Sequence, residues 1–114
     1  MPGALHFVTG NVLNRKPIFK QEKYCLAFLE ELQKMRTEGE CKIIAFILMP
    51  DHLHFISNPK GGDIQTSTGV LKSFAAKAIV DLAPKNYFLV DGENQVWRES
   101  FKALPLWSRW MIDQ

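Results

Sequence analysis

His52 and His54 are the residues whose type and spacing speak most directly of chemistry. They stand one residue apart in IIAFILMPDHLHFIS, residues 43–57. The stretch is an apolar run, a Pro50-Asp51 break, and a second apolar run. Short runs of β-branched and aromatic residues bounded by Pro and Asp predict two strands joined by a turn. Side chains alternate along a strand. His52 and His54 therefore share one face, and Leu53 and Phe55 share the other. Two neutral imidazoles side by side can ligate one divalent metal ion, provided the second nitrogen of each ring finds an orienting partner. A pair of surface histidines on an exposed strand is the plainer alternative, and HxH alone does not choose between them. His6 is a further candidate ligand. It shares a strand face with Val8, where a structural or solvated histidine is the commoner case.

Five cations are candidates for phosphate contacts, the usual way a protein holds a nucleic-acid backbone. Arg15 and Lys16 lie in GNVLNRKPIFK, residues 10–20, and Lys72 lies off the apolar stripe of a predicted helix. Arg98 and Lys102 lie in QVWRESFK, residues 95–102. A solvated charged surface is the competing reading for each.

The elements that must position these groups follow from periodicity. Leu5 to Thr9 predicts a first strand. Gln21 to Glu38 predicts a helix with Cys25, Phe28, Leu29, Leu32 and Met35 on one stripe, and Gly39 suits its end. Cys41 to Met49 is almost continuously apolar, the pattern of a strand buried on both faces. His52 to Asn58 is the strand after the turn. Asp63 to Leu82 predicts a second helix, with Asp63, Thr66 and Ser67 as possible N-caps. Its stripe is Leu71, Phe74, Ala75, Ala78, Ile79 and Leu82, and Pro84 prevents continuation. Asn86 to Asn94 reads as a loop. Gln95 to Lys102 reads as a last strand, with Trp97 and Phe101 as packing residues. Pro105 to Gln114 reads as the start of a third helix that stops in mid-pattern. The order strand, helix, strand, strand, helix, strand predicts an α+β ferredoxin-like (split β-α-β) sandwich. Its sheet is antiparallel, both helices cover one face, and the C-terminal helix is truncated. His52 and His54 then point to the open face.

Size and charge narrow the classes. The chain has 114 residues, enough for one domain over residues 1–114 with one core. The net charge of +2 excludes a strong global field, so a nucleic-acid surface has to be a local patch. Cys25 and Cys41 do not make a disulfide framework and are expected to be reduced, buried thiols in a cytoplasmic protein. No apolar run is long enough for a membrane span, and the N-terminus lacks a secretion signal.

MPDHLHF after an apolar strand resembles the HUH signature of the Y1 transposase family, IS200/IS605-like. More closely, the chain is similar to the REP-associated tyrosine transposases. HFVTGN with NRKPIF resembles that family's first strand and basic loop, LKSFAAKAI its second helix, and VWRESFK its VWQ-x-x-F segment. The resemblance runs in order from about Leu5 to Gln114. It implies a bacterial cytoplasmic enzyme of DNA transposition that binds single-stranded DNA beside a hairpin. It implies that His52 and His54, with a third ligand, hold Mg²⁺ or Mn²⁺ on the scissile phosphate. A tyrosine then attacks phosphorus and forms a phosphotyrosine, which permits rejoining.

The family's nucleophilic tyrosine and third ligand follow a PLWSRWMI-like segment, so both are expected beyond Gln114. Tyr24 and Tyr87, the tyrosines present, match neither position. No catalytic residue is carried over, and little or no covalent cleavage is expected of this chain. Apolar surface near Trp107, Trp110 and Met111 makes a homodimer an expectation. The alternative is a non-catalytic, ferredoxin-like module that binds single-stranded nucleic acid through aromatic residues. A ligand-sensing or oligomerising domain of the same fold is a third reading, and it leaves the histidine pair unexplained.

Overall fold

A computed structural model of the chain describes residues 5–38, 41–59, 64–98 and 101–105. Its principal sheet is antiparallel, with strand order β2-β3-β1-β6. The strands are β1 (His6–Asn11), β2 (Cys41–Met49), β3 (His52–Pro59) and β6 (Lys102–Pro105). A two-stranded hairpin, β4 (Leu89–Val90) with β5 (Glu93–Asn94), follows the second helix. The helices are α1 (Glu22–Glu38) and α2 (Ile64–Leu82). This is the ferredoxin-like α+β arrangement that the order of elements predicts.

Alternation decides which face is covered. Val8 of β1 and Leu53 and Phe55 of β3 are buried in one cluster with Phe28 and Leu32 of α1 and Leu71, Ala75 and Ile79 of α2. Both helices therefore pack on that face. In α1 the buried residues are Tyr24, Ala27, Phe28, Leu32 and Met35, so Cys25 and Leu29 sit at the margin of the expected stripe. Cys25 is a partly exposed free thiol, not a buried one, and it donates to the Phe19 carbonyl at 3.1 Å. In α2 the stripe turns through Ile64, Thr68, Leu71, Ala75 and Ile79, leaving Phe74 and Leu82 exposed. Thr68 is tolerated inside because its hydroxyl donates to the Ile64 carbonyl at 2.8 Å. Thr66 and Ser67 lie within this helix and are not its caps, while Asp63 and Gly39 lie outside the described residues.

Four expectations need correction. β2 is not buried on both faces. It is the edge strand of a sheet covered on one side, and Ile44, Phe46 and Ile47 are 55%, 52% and 52% exposed. A bulge between Ile43 and Ala45 breaks its register, a common device on edges. The last strand is Lys102–Pro105, not Gln95 to Lys102. Among the described residues of the earlier segment before Lys102, Trp97 makes an isolated bridge, to Val12. Pro105 belongs to that strand and not to a helical turn, and the rest of the expected third helix, residues 106–114 with Trp107, Trp110 and Met111, lies outside the described residues. Asn86 to Asn94 carries the small hairpin, whose turn uses Asp91 and Gly92 at positive φ.

The basic segment after β1 is more structured than its composition suggests. Ile18 and Phe19 are buried, and 3₁₀ turns cover Leu13–Arg15 and Ile18–Lys20. Trp97 is the hub beneath it. Its ring meets Phe101 at 5.0 Å, Phe28 at 6.1 Å and Phe19 at 6.3 Å between centroids. Its indole N–H donates to the Lys72 carbonyl at 3.0 Å. Trp97 and Phe101 are packing residues, as expected, and Phe101 presses on Gly10 of β1.

Candidate metal centre on the open sheet face

The register of β1 against β3 sets what stands beside each histidine. His54 lies opposite Thr9 and His52 opposite Asn11. On the other side Ile47 faces His54 and Met49 faces His52. Leu53 and Phe55 are 0% and 1% exposed, so His52 and His54, which alternate with them, face away from the core. The two rings are 5.1 Å apart between centroids and nearly perpendicular. Phe7 stacks on His54 at 5.2 Å with an interplanar angle of 23°.

Both Nδ1 atoms are engaged. His52 Nδ1 lies 2.8 Å from Asp51 Oδ1. A carboxylate only accepts, so the proton sits on Nδ1, and in the neutral ring the His52 Nε2 lone pair is open. His54 Nδ1 lies 3.0 Å from Thr9 Oγ1. Donation from Nδ1 to that hydroxyl opens Nε2 in the same way. Burial first, and the neighbouring His52 second, hold the His54 pKa below its ordinary value. The neutral, ligating form is thereby favoured. Asp51 is held below the usual carboxylate range, first by its hydrogen bond with His52 and then by that with Arg15.

This donor set fits a divalent cation at two positions. Two imidazoles with orienting partners are a recurrent half-site, and the remaining ligands have to come from elsewhere. Among the described residues, no group of three or more His, Cys, Asp or Glu side chains gathers to hold a metal. His6 does not join the pair. It lies opposite the buried Ser57, in the core-side row with Val8.

The five expected phosphate-binding cations do not form one patch. Arg15 Nε donates to Asp51 Oδ2 at 2.9 Å, at the rim of the histidine site. Lys16 Nζ donates to the Tyr87 carbonyl at 2.7 Å and lies 4.5 Å from the centre of that ring. It fastens a loop. Lys72 belongs to α2, on the layer opposite the histidines. Lys102 lies opposite Thr9, in the same cross-strand row as His54. The Arg98 amide donates to the Asn11 carbonyl at 2.9 Å, which fixes exposed Arg98 next to the His52 row. Arg15, Arg98 and Lys102 thus belong to segments beside the pair, whereas Lys16 is engaged by Tyr87 and Lys72 lies on the helical layer. Sequence reasoning missed Thr9, Asp51 and Phe7. Asp51 was visible beside His52, but Thr9 and Phe7 required the strand register.

Neither tyrosine stands in the histidine row. Tyr24 is 2% exposed in α1, with its ring edge-on to Phe88. Tyr87 is exposed in the loop after α2, beneath Lys16.

Comparison with known proteins agrees with this architecture. The family model described as transposase IS200 like matches residues 4–108. The fold is similar to that of a REP-associated tyrosine transposase solved bound to a REP hairpin, with a TM-score of 0.75 and 19% identity. That match covers 99% of this chain and 62% of the other, so the chain spans less than two thirds of that relative's length. A proposed transposase from Deinococcus radiodurans R1 matches with a TM-score of 0.71 and 16% identity, over 88% of this chain and 76% of the other. No curated protein sequence matches. No helix among the described residues is long and apolar enough to cross a membrane. With a family model covering nearly its whole length and the HUH histidines on the open face of the expected sheet, the chain belongs to the IS200-like transposase family.

Proposed function

We propose that the chain binds single-stranded DNA beside a hairpin and holds a divalent cation, Mg²⁺ or Mn²⁺, through His52 and His54. The observation that supports this reading is the engagement of both Nδ1 atoms on one sheet face, which in the Nδ1–H tautomers leaves each Nε2 lone pair for a cation. Family membership and the hairpin-bound relative support the choice of DNA. A bound cation would polarise the scissile phosphate and offset the charge that develops as it is attacked. The chain's own residues orient and hold. In this reading Asp51 and Thr9 aim the imidazoles, while Lys102 and Arg98, on segments paired with β1, take neighbouring phosphates.

The family reaction is cleavage and rejoining through a phosphotyrosine. Residues 1–114 do not perform it in this reading, because Tyr24 is locked in the core and Tyr87 lies in the loop after α2, outside the histidine row. The test uses labelled, hairpin-flanked single-stranded DNA with Mn²⁺ or Mg²⁺. Binding is expected, with no labelled protein band on a denaturing gel. His52→Ala and His54→Ala should remove its metal dependence. A protease-sensitive labelled band would overturn the inactivity, and metal-independent binding by all three proteins would overturn the metal reading.

One observation favours a second reading. Phe7 stands on the open face beside His54, an aromatic of the kind that stacks on bases. Binding that survives both alanine variants and is lost in Phe7→Ala would identify a non-catalytic nucleic-acid module. The β2 edge, unpaired among the described residues and with Ile44 and Ile47 exposed, supports association between copies. Sedimentation across concentration tests it, and a monomer throughout would refute it.

A further inference from the structure

We propose that Arg15 and Asp51 form a positioning pair that locks His52 in its metal-binding tautomer, so that Arg15 serves the histidine and not a DNA phosphate. The inference rests on the reading of His52 as a ligand. Asp51 bridges the two groups, with Oδ1 accepting from His52 Nδ1 at 2.8 Å and Oδ2 accepting from Arg15 Nε at 2.9 Å. With both oxygens engaged, the carboxylate cannot rotate without breaking a charge-assisted bond. Orienting partners of this kind fix ring direction and ligand basicity.

The backbone is arranged around the same contact. Asn14 and Arg15 both lie in the left-handed region, at φ of 57° and 54°, which side chains of L-residues disfavour. Such strain persists where the surroundings over-determine it. Here the surroundings are a double clasp. The Val12 amide donates to the Asp51 carbonyl, and the Phe19 amide donates to the Pro50 carbonyl, each at 3.0 Å. The basic loop and the β2–β3 turn are thus one unit, and Arg15 is delivered to Asp51 from its strained tip. His54 has its own partner in Thr9, so the two ligands are set independently, one by a carboxylate and one by a hydroxyl.

The test has two readouts. Long-range ¹H–¹⁵N correlation of the imidazoles in the metal-free chain reports the tautomer. Mn²⁺ titration followed by electron paramagnetic resonance reports affinity. The wild-type chain is expected to show His52 protonated at Nδ1. Asp51→Ala should shift it toward the Nε2–H form and weaken Mn²⁺ about 10- to 100-fold. Asp51→Asn retains an accepting oxygen and should keep the tautomer. Arg15→Ala, at a side chain 73% exposed, leaves folding intact and should weaken Mn²⁺ several-fold, with Arg15→Lys recovering part. If Arg15 instead holds a phosphate, Arg15→Ala leaves Mn²⁺ affinity unchanged and lowers the salt slope of DNA binding by about one; that result overturns the proposal. A His52 tautomer indifferent to Asp51→Ala also overturns it. Failure of the wild-type chain to bind Mn²⁺ would strike the ligand reading instead, and the tautomer measurement would still decide whether Asp51 and Arg15 lock the ring.

Discussion

Gly10→Ala tests whether the aromatic cluster beneath the histidines is the platform that holds them. Gly10 lies between Thr9 and Asn11, opposite Leu53, with its α-carbon facing the core. A methyl group there would stand 2.6 Å from Phe101 Cε1 and 2.9 Å from Cδ1 and Cζ. Ordinary contact begins near 3.4 Å, so the ring has to retreat by about 0.8 Å. It has little room, because Phe101 is buried edge-on against Trp97, which is itself fixed by its bond to the Lys72 carbonyl. Overpacking of this kind costs about 1–3 kcal/mol, and reduced freedom of the unfolded chain returns about 0.4–1 kcal/mol. The midpoints leave a net loss of about 1.3 kcal/mol, or roughly 5 °C in Tm for a chain of this size. Thermal and urea unfolding followed by circular dichroism measure it. Phe101→Leu removes the obstructing ring edge, so the double variant should show favourable coupling of at least about 0.5 kcal/mol. A Gly10→Ala chain as stable as the wild type, or a cost unchanged in the Phe101→Leu background, would refute the reasoning.

Other outcomes follow from the same packing and charge. Leu53→Ala, at a fully buried site between the two histidines, should cost about 2–5 kcal/mol in urea unfolding. Trp97→Phe forfeits the indole hydrogen bond and part of the ring volume, and should cost about 1–3 kcal/mol by the same assay. For pH, the folded His54 pKa lies below the unfolded value of 6.5. Its contribution to stability is therefore whole above that value and is lost as pH falls through the folded one. Urea titrations across this window should show a decline that His54→Gln reduces, and an unchanged profile would contradict the environment assigned to His54. Asp51, depressed from 3.8, adds its own loss only in a more acid window.

The sequence made the sheet's logic legible because alternation and helical periodicity are local. Leu53 and Phe55 inside, His52 and His54 outside, and the stripe of α1 needed no partner to be read. Where neighbours decide, the pattern misled. The apolar run of β2 reads as a central strand, yet its position at the edge is set by pairing with β3 alone. Phe74 completes a 3.6-residue stripe on paper but is exposed, because α2 turns Thr68 and Leu71 inward instead. The site divided in the same way. The histidine pair was visible as HLH, whereas Thr9 and Phe7, 45 residues or more from His54, come from another strand and depend on register. Arg15 and Lys16 look alike in NRKP, and only the fold separates a carboxylate partner for one from a carbonyl and an aromatic ring for the other.

The most direct measurement is Mn²⁺ binding to the chain in the presence of a single-stranded DNA hairpin, followed by electron paramagnetic resonance with ¹⁵N-labelled histidine. One tightly bound ion is expected, with a spectrum that carries hyperfine coupling to imidazole nitrogen, reduced in His52→Ala or His54→Ala and lost in the double variant. An ion bound with equal affinity and no imidazole coupling, in the wild-type chain and the double variant alike, would contradict the metal reading.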